Sequence, residues 1–201
     1  MTSSVIDTSA KLVSALDKLA TLPARNPSLS VDLEGENLSR TGTLTIITIF
    51  VEPHNHVYIF DILVLKDAAF STAGATGNTL KQILESPSIP KIFFDVRNDS
   101  DALFHHHRIA LQGVQDVQLM ELASRPGNLW QKKYLNGLAI CIDRDSGLKF
   151  VERASWKATK AKMTALMNTR GENQTHLFAQ RPLCPDAVEY CIGDVCILSC
   201  L

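Results

Sequence analysis

Residues 28–35 read SLSVDLEG. The run up to Val31 is apolar and small, and it reads as a strand. Asp32 and Glu34 then arrive one residue apart, flanking Leu33, with Gly35 behind them. In a strand, residues i and i+2 point to the same face. Two like charges therefore stand side by side on an element that looks buried. They repel, and burial raises the cost. Alone, the pair reads as a solvated strand end. Joined by further carboxylates, it reads as a site for a hard divalent cation, which takes oxygen ligands and turns the repulsion into affinity.

Working outward, SAKLVSALDKLA at 9–20 places Leu12, Val13, Leu16 and Leu19 on one helical stripe. TLTIITIFV at 43–51 is β-branched and long enough for a central strand, and VYIFDI at 57–62 is another. Three strands joined by short loops predict an antiparallel meander. The period then changes. TLKQILES at 79–86 reads as a helix, KIFFDV at 91–96 as a short strand and DALFHHHRI at 101–109 as a helix. VQDVQLMELAS follows as a strand and a helix. Strand alternating with helix predicts parallel pairing at this end. From residue 130 onward the pattern is helical, apart from the polar stretch NTRGENQTHLFAQRP. The reading is α/β, with a mixed five-stranded sheet, three antiparallel strands and then parallel ones, flanked by helices. Residues 1–27 read as an N-terminal helix and linker packed on the main domain.

Composition bounds the rest. The chain has 201 residues, 45% hydrophobic and 20% charged, with a formal net charge of −1. No run approaches the roughly 18 apolar residues of a membrane span, so no membrane is expected as a partner. Five cysteines, none in a C-x-x-C, make a disulfide framework or structural zinc unexpected. Buried thiols in a reducing compartment, cytoplasm or nucleus, are the expectation. No glycine-rich phosphate loop and no nucleophile elbow is present.

Two later stretches supply carboxylates. In KIFFDVRNDSDALF a strand ends, a polar turn follows and Asp101 opens a helix, with Asp95 and Asp99 as nearby alternatives. Asp99 or Ser100 also suits helix capping. In PDAVEYCIGDVCIL, Tyr190 and Asp194 lie four apart, one turn apart on one helix face.

The ordered set of VDLEG, KIFFDVRNDSDAL and YCIGD resembles the DEDD superfamily of 3′–5′ exonucleases, in the Tyr-containing branch typified by ribonuclease D and its fungal exonuclease-domain relatives. The resemblance covers about residues 28–201. Supporting stretches are GVQDVQLMELA, LNGLAICI and RPLCPDAVEYCIGDV. One departure is Phe94, where many relatives carry His. Another is the end of the chain seven residues after Asp194, where the resemblance implies a longer final helix.

The resemblance implies a ribonuclease H-like fold and hydrolysis of nucleic-acid phosphodiester bonds at single-stranded RNA or DNA 3′ ends, with two ions of Mg²⁺ or Mn²⁺ about 3.5–4 Å apart. It implies catalytic roles for Asp32, Glu34, Asp101, Tyr190 and Asp194. Asp32 bridges the metals, Glu34 and Asp194 complete one metal site, Asp101 serves the other, and Tyr190 orients the attacking water. The alternative is a catalytically weak exonuclease-like domain that binds RNA or a protein.

Substrate contacts are sought in Leu38 and Phe104, as apolar wedges against bases, and in Arg97 and Lys157 for phosphate. Lys157 lies in the window 131–162, which holds eight basic against three acidic residues, a local net of +5. His105, His106 and His107 point about 100° apart on a helix and cannot share one ion, so they read as surface or packing residues.

Overall fold

A computed structural model describes residues 1–22, 29–128, 130, 132–168 and 177–201. Its first elements are β1 (Thr2–Ile6), α1 (Ser9–Leu19), β2 (Leu29–Glu34), β3 (Ile46–Val51) and β4 (His56–Asp61). Next come α2 (Ile62–Leu65), α3 (Ala68–Ser71), α4 (Leu80–Glu85), β5 (Lys91–Phe93) and α5 (Arg97–His107). The last are β6 (Val114–Asp116), α6 (Val117–Ser124), α7 (Leu138–Asp145), α8 (Phe150–Asn168) and α9 (Pro185–Leu198). The linker expected around Pro23 and Pro27 lies outside the described residues, as does most of the polar stretch ahead of Pro182.

The strands form one sheet in the order β1-β4-β3-β2-β5-β6. β2, β3 and β4 make the antiparallel meander read from the sequence. β5 joins β2 in parallel, and β6 joins β5 in parallel. The mixed α/β architecture matches expectation, but the strands number six rather than five. The addition is β1, which pairs in parallel with β4 at the sheet edge. Only Ile6 of it is fully buried, so this strand carries no apolar run to announce it.

β3 is buried on both faces, which explains its unbroken apolar sequence. Ile47, Ile49 and Val51 share one core with Leu12, Leu16 and Leu19 of α1 and Leu80, Ile83 and Leu84 of α4. Ile46 and Phe50 face the other way, into a second core with Met163 of α8 and Ala187, Cys191 and Val195 of α9. Fully burying a side chain of this size contributes ~1.5–3 kcal/mol. β2 divides in the same manner. Leu29, Val31 and Leu33 enter the first core, so Ser30, Asp32 and Glu34 turn to the face that α9 crosses.

Two polar devices position the elements around that face. The guanidinium of Arg181 pairs with the buried carboxylate of Asp61 at the end of β4, with Nη2 donating to Oδ1 at 2.7 Å. Its Nη1 donates to the carbonyls of Phe178 at 2.8 Å and Gln180 at 2.7 Å, so the chain entering α9 is tied to the sheet. The second device is Asp116. Its carboxylate accepts the amides of Asp95 and Val96, each at 3.1 Å, and that of Gln118 at 3.0 Å. One side chain thus fixes the starts of α5 and α6 together.

That arrangement corrects two expected boundaries. β5 stops at Phe93 rather than residue 96, and α5 begins at Arg97 rather than residue 101. Asp95 takes a left-handed conformation, φ 60°, which breaks the strand, and Asp116 then holds the turn closed.

Lys91 is fully buried, and its ammonium donates to the carbonyls of Ile83 (3.0 Å), Ser86 (2.9 Å) and Ile89 (2.7 Å). Removing it leaves three carbonyls without their donor. Lys91→Met is expected to cost ~3 kcal/mol or more, read as a lowered urea midpoint with an unchanged slope.

Candidate active site

Gly35 follows directly on the strand that carries Asp32 and Glu34. A Cβ there would lie 1.8 Å from the carbonyl oxygen of Thr43, so only glycine lets the chain leave β2 beside the segment that returns into β3. Across from β2, Asp32 registers with Thr48 and Glu34 with Ile46. α9 lies over this face and lowers Asp194 onto it. Ligand oxygens of Asp32, Glu34 and Asp194 all lie within 4.8 Å of one another. Asp194 is buried, and its Oδ1 has no hydrogen-bond partner.

The fourth carboxylate is not the one expected. Asp99, in the first turn of α5, is buried, and its Oδ1 also lacks a partner. It lines a cleft of 480 Å³ together with Asp32, and the walls include Asn37, Leu38, Ser39, Phe94 and Asn98. Asp101 points away. Its carboxylate receives the Arg40 guanidinium, Nη2 to Oδ1 at 2.7 Å, and the Arg40 backbone amide at 2.7 Å. The physical reason is rotation. Positions two apart on a helix lie about 200° apart, on opposite faces. Since α5 starts four residues earlier than expected, Asp99 shares its inward face with Ala102 and Leu103, both buried at i+3 and i+4. The corresponding neighbours of Asp101 are Phe104 and His105, both exposed. That contrast in burial separates the two aspartates.

Tyr190 stands one turn before Asp194 as expected. Its hydroxyl accepts a hydrogen bond from the Lys160 ammonium at 2.7 Å. Lys160 also donates to Asp194 Oδ2. Sequence reasoning counts this lysine only within the basic window, so its place in the cluster is new.

The expected substrate contacts divide. Leu38 lines the cleft. Phe104 is exposed on α5, with the Arg108 guanidinium carbon 6.0 Å from its ring centroid, and is not among the cleft residues. Arg97 pairs with Asp95, and Lys157 with Asp143 at 2.6 Å. Phe94, noted as a departure, forms part of the cleft wall. Of the histidines, His107 packs on Phe70 and His106 meets the Ser39 carbonyl.

The electrostatics follow from crowding. Burial, and then the Asp194 charge, lift the Asp32 carboxyl from 3.8 to about 7. Burial and the Asp32 charge lift Glu34 and Asp99. Burial pushes Asp194 up, while the Lys160 ammonium holds it partly back. Burial raises the Tyr190 hydroxyl, followed by the charge of Glu34.

A sequence model of the family described as 3′-5′ exonuclease matches residues 4–201. The chain belongs to this 3′–5′ exonuclease family. Among individual relatives, the piRNA biogenesis protein EXD1 of Bombyx mori is 34% identical over 94 residues, 47% of this chain and 27% of that protein. Ribonuclease D of Trypanosoma brucei in complex with GMP superposes with a TM-score of 0.73 at 24% identity, covering 98% of this chain and 55% of that one. Escherichia coli ribonuclease D gives 0.61 at 21%, covering 99% and 43%. At these identities the structural likenesses establish the fold, which is ribonuclease H-like. The chain spans about a quarter of the silkworm relative and little more than half of the trypanosome enzyme.

The raised carboxyls set a pH dependence. With its folded pKa above the unfolded one, Asp32 contributes stability that is fully present below 3.8 and lost as pH rises through about 7. The protein in EDTA should therefore melt at a lower temperature at about pH 8 than at about pH 5. Asp32→Asn should reduce that difference. Mn²⁺ at the higher pH should raise the melting temperature, and Glu34→Gln should blunt the rise.

Proposed function

We propose that this chain hydrolyses the terminal phosphodiester bond of single-stranded nucleic acid, stepwise from the 3′ end, with divalent cations held by the carboxylate cluster. The observation that carries the reading is the convergence of Asp32, Glu34 and Asp194 within 4.8 Å, with Asp32 also lining the cleft beside Asp99. The donor set fits Mg²⁺ or Mn²⁺: every ligand is a carboxylate oxygen, and two of those oxygens, on Asp99 and Asp194, are buried without partners. Such ions, when bound, supply water activation at neutral pH and charge compensation at the leaving oxygen.

The residues divide the remaining work. Asp32 belongs both to the trio with Glu34 and Asp194 and to the cleft that Asp99 lines, so it would serve ions held on either side. Glu34 and Asp194 would complete one coordination set, and Asp99 takes the part expected of Asp101 in the other. The Tyr190 hydroxyl, kept protonated by its surroundings, can orient a water by hydrogen bonding without acting as a base. Leu38 and Phe94 offer apolar surface to a terminal base, and Asn37, Ser39 and Asn98 offer polar groups to sugar or phosphate. RNA is the first substrate to examine, because a trypanosome ribonuclease D of the same fold is solved in complex with RNA.

The test uses 5′-labelled and 3′-labelled RNA and DNA strands with Mg²⁺, Mn²⁺ or EDTA. Stepwise shortening of the 5′-labelled strand is expected with either metal and not with EDTA. Asp32→Ala and Asp99→Asn should each lower the rate by roughly 100-fold or more. Asp101→Asn should stay within about threefold, since that side chain serves the Arg40 contact. RNA binding by the wild-type protein without shortening would replace this reading with that of a binding module.

A further inference from the structure

The carboxylate cluster already contains a cation. The Lys160 ammonium, reaching in from α8, donates to Asp194 Oδ2 and to the Tyr190 hydroxyl at 2.7 Å. Its neighbours on the same helix are engaged elsewhere, Lys157 with Asp143 and Lys162 with Asp186. Lys160 alone of these three turns toward the sheet. We propose that Lys160 is an internal counter-ion of the active site, holding Asp194 until a divalent cation takes that carboxylate and displaces it. The proposal rests on the exonuclease reading only in taking the cluster as a divalent-cation site.

Three features support an exchange rather than a permanent pair. The first is charge. A lone ammonium compensates one of several crowded carboxylates, whereas divalent ions compensate the set and would repel the ammonium at this range. The second is a ready berth. The Lys160 nitrogen lies 4.0 Å from the centroid of the Tyr190 ring and 5.5 Å from that of Trp156, so it can leave Asp194 and remain over aromatic faces. Its flexible four-carbon stem and partial exposure, 27% of the side chain, permit the swing. The third is a substitute donor. The Trp156 indole N–H and Asp194 Oδ1 are both buried without a hydrogen-bond partner. The indole can donate to that carboxylate once the ammonium has moved.

Lys160 is thus a positioning residue in both states. With the ammonium on Asp194, the like charges of β2 and α9 stay together. With it displaced, the Tyr190 hydroxyl keeps its donor. The cost is competition: ion affinity is lower than the carboxylates alone would give, by the free energy of displacing the lysine.

Binding of Mn²⁺, read by electron paramagnetic resonance of the free ion, tests this without reference to turnover. The proteins compared are wild type, Lys160→Met, Lys160→Gln and Asp32→Ala, all stripped of metal first. Both Lys160 variants are expected to bind Mn²⁺ at least tenfold more tightly than wild type, about 1.4 kcal/mol. Their metal-free melting temperatures should be lower than that of wild type. If wild type binds and the Lys160 variants bind equally or more weakly, the counter-ion proposal is overturned and the metal-site reading stands. Binding by the Lys160 variants alone overturns the displacement, because the wild-type ammonium then keeps Asp194, and it also removes the case for a metal-loaded wild-type enzyme. No binding by any of the four overturns both. Should the variants fail to fold, acylation of wild-type lysines decides. Modification of Lys160 must rise when Mg²⁺ is added, and an unchanged rate rejects the displacement.

Discussion

Strand β2 cannot turn Leu29, Val31 and Leu33 into one core without turning Ser30, Asp32 and Glu34 toward the other. Everything at the site depends on this alternation. A slip of one residue against β3 would bury the carboxylates under α1 and α4 and send leucines to the cleft. The register is held by the full length of β2 on β3, Leu29 opposite Val51 through Glu34 opposite Ile46. α9 then needs only to lie across that face for Asp194 to join the pair. Two unit charges about 4 Å apart repel by roughly 4 kcal/mol in a partly screened environment. The fold sustains that because apolar cores on both sides of the sheet hold β2 and α9 in place.

Away from the site, several charges on α8 are paired where they stand. Within the basic window 131–162 several cations are engaged locally. Lys157 binds Asp143, Lys162 binds Asp186, and Arg153 donates to the Leu148 carbonyl at 2.9 Å. Local pairing mirrors the near-zero balance of the whole chain.

The meander and α1 were legible because burial there leaves a regular trace: an unbroken β-branched run in β3 and a helical stripe ending at Leu19. β1 was not legible, because an edge strand with one fully buried residue has no such trace. Asp32, Glu34, Tyr190 and Asp194 could be placed because spacing within a single element decides which way each points. Asp99 was masked by a boundary. Where α5 starts is set by Asp116, a residue from another strand, and no local pattern around residues 95–101 reports it. Lys160 was invisible for a related reason. Its partners come from α9, 30 and 34 positions away, and a helix with lysines on several faces does not say which one turns inward.

Asp101, outside the carboxylate cluster, ties the cleft wall to α5 from without. Its carboxylate grips both the backbone and the guanidinium of Arg40, and one turn further along α5 His106 meets the Ser39 carbonyl at 3.0 Å. The segment bearing Asn37, Leu38 and Ser39 is thereby strapped to the helix that bears Asp99. One wall of the groove and one of its carboxylates form a single jaw. A change in the length of that loop would therefore be felt in the width of the groove and in the placement of Asp99 together, so the two cannot vary independently.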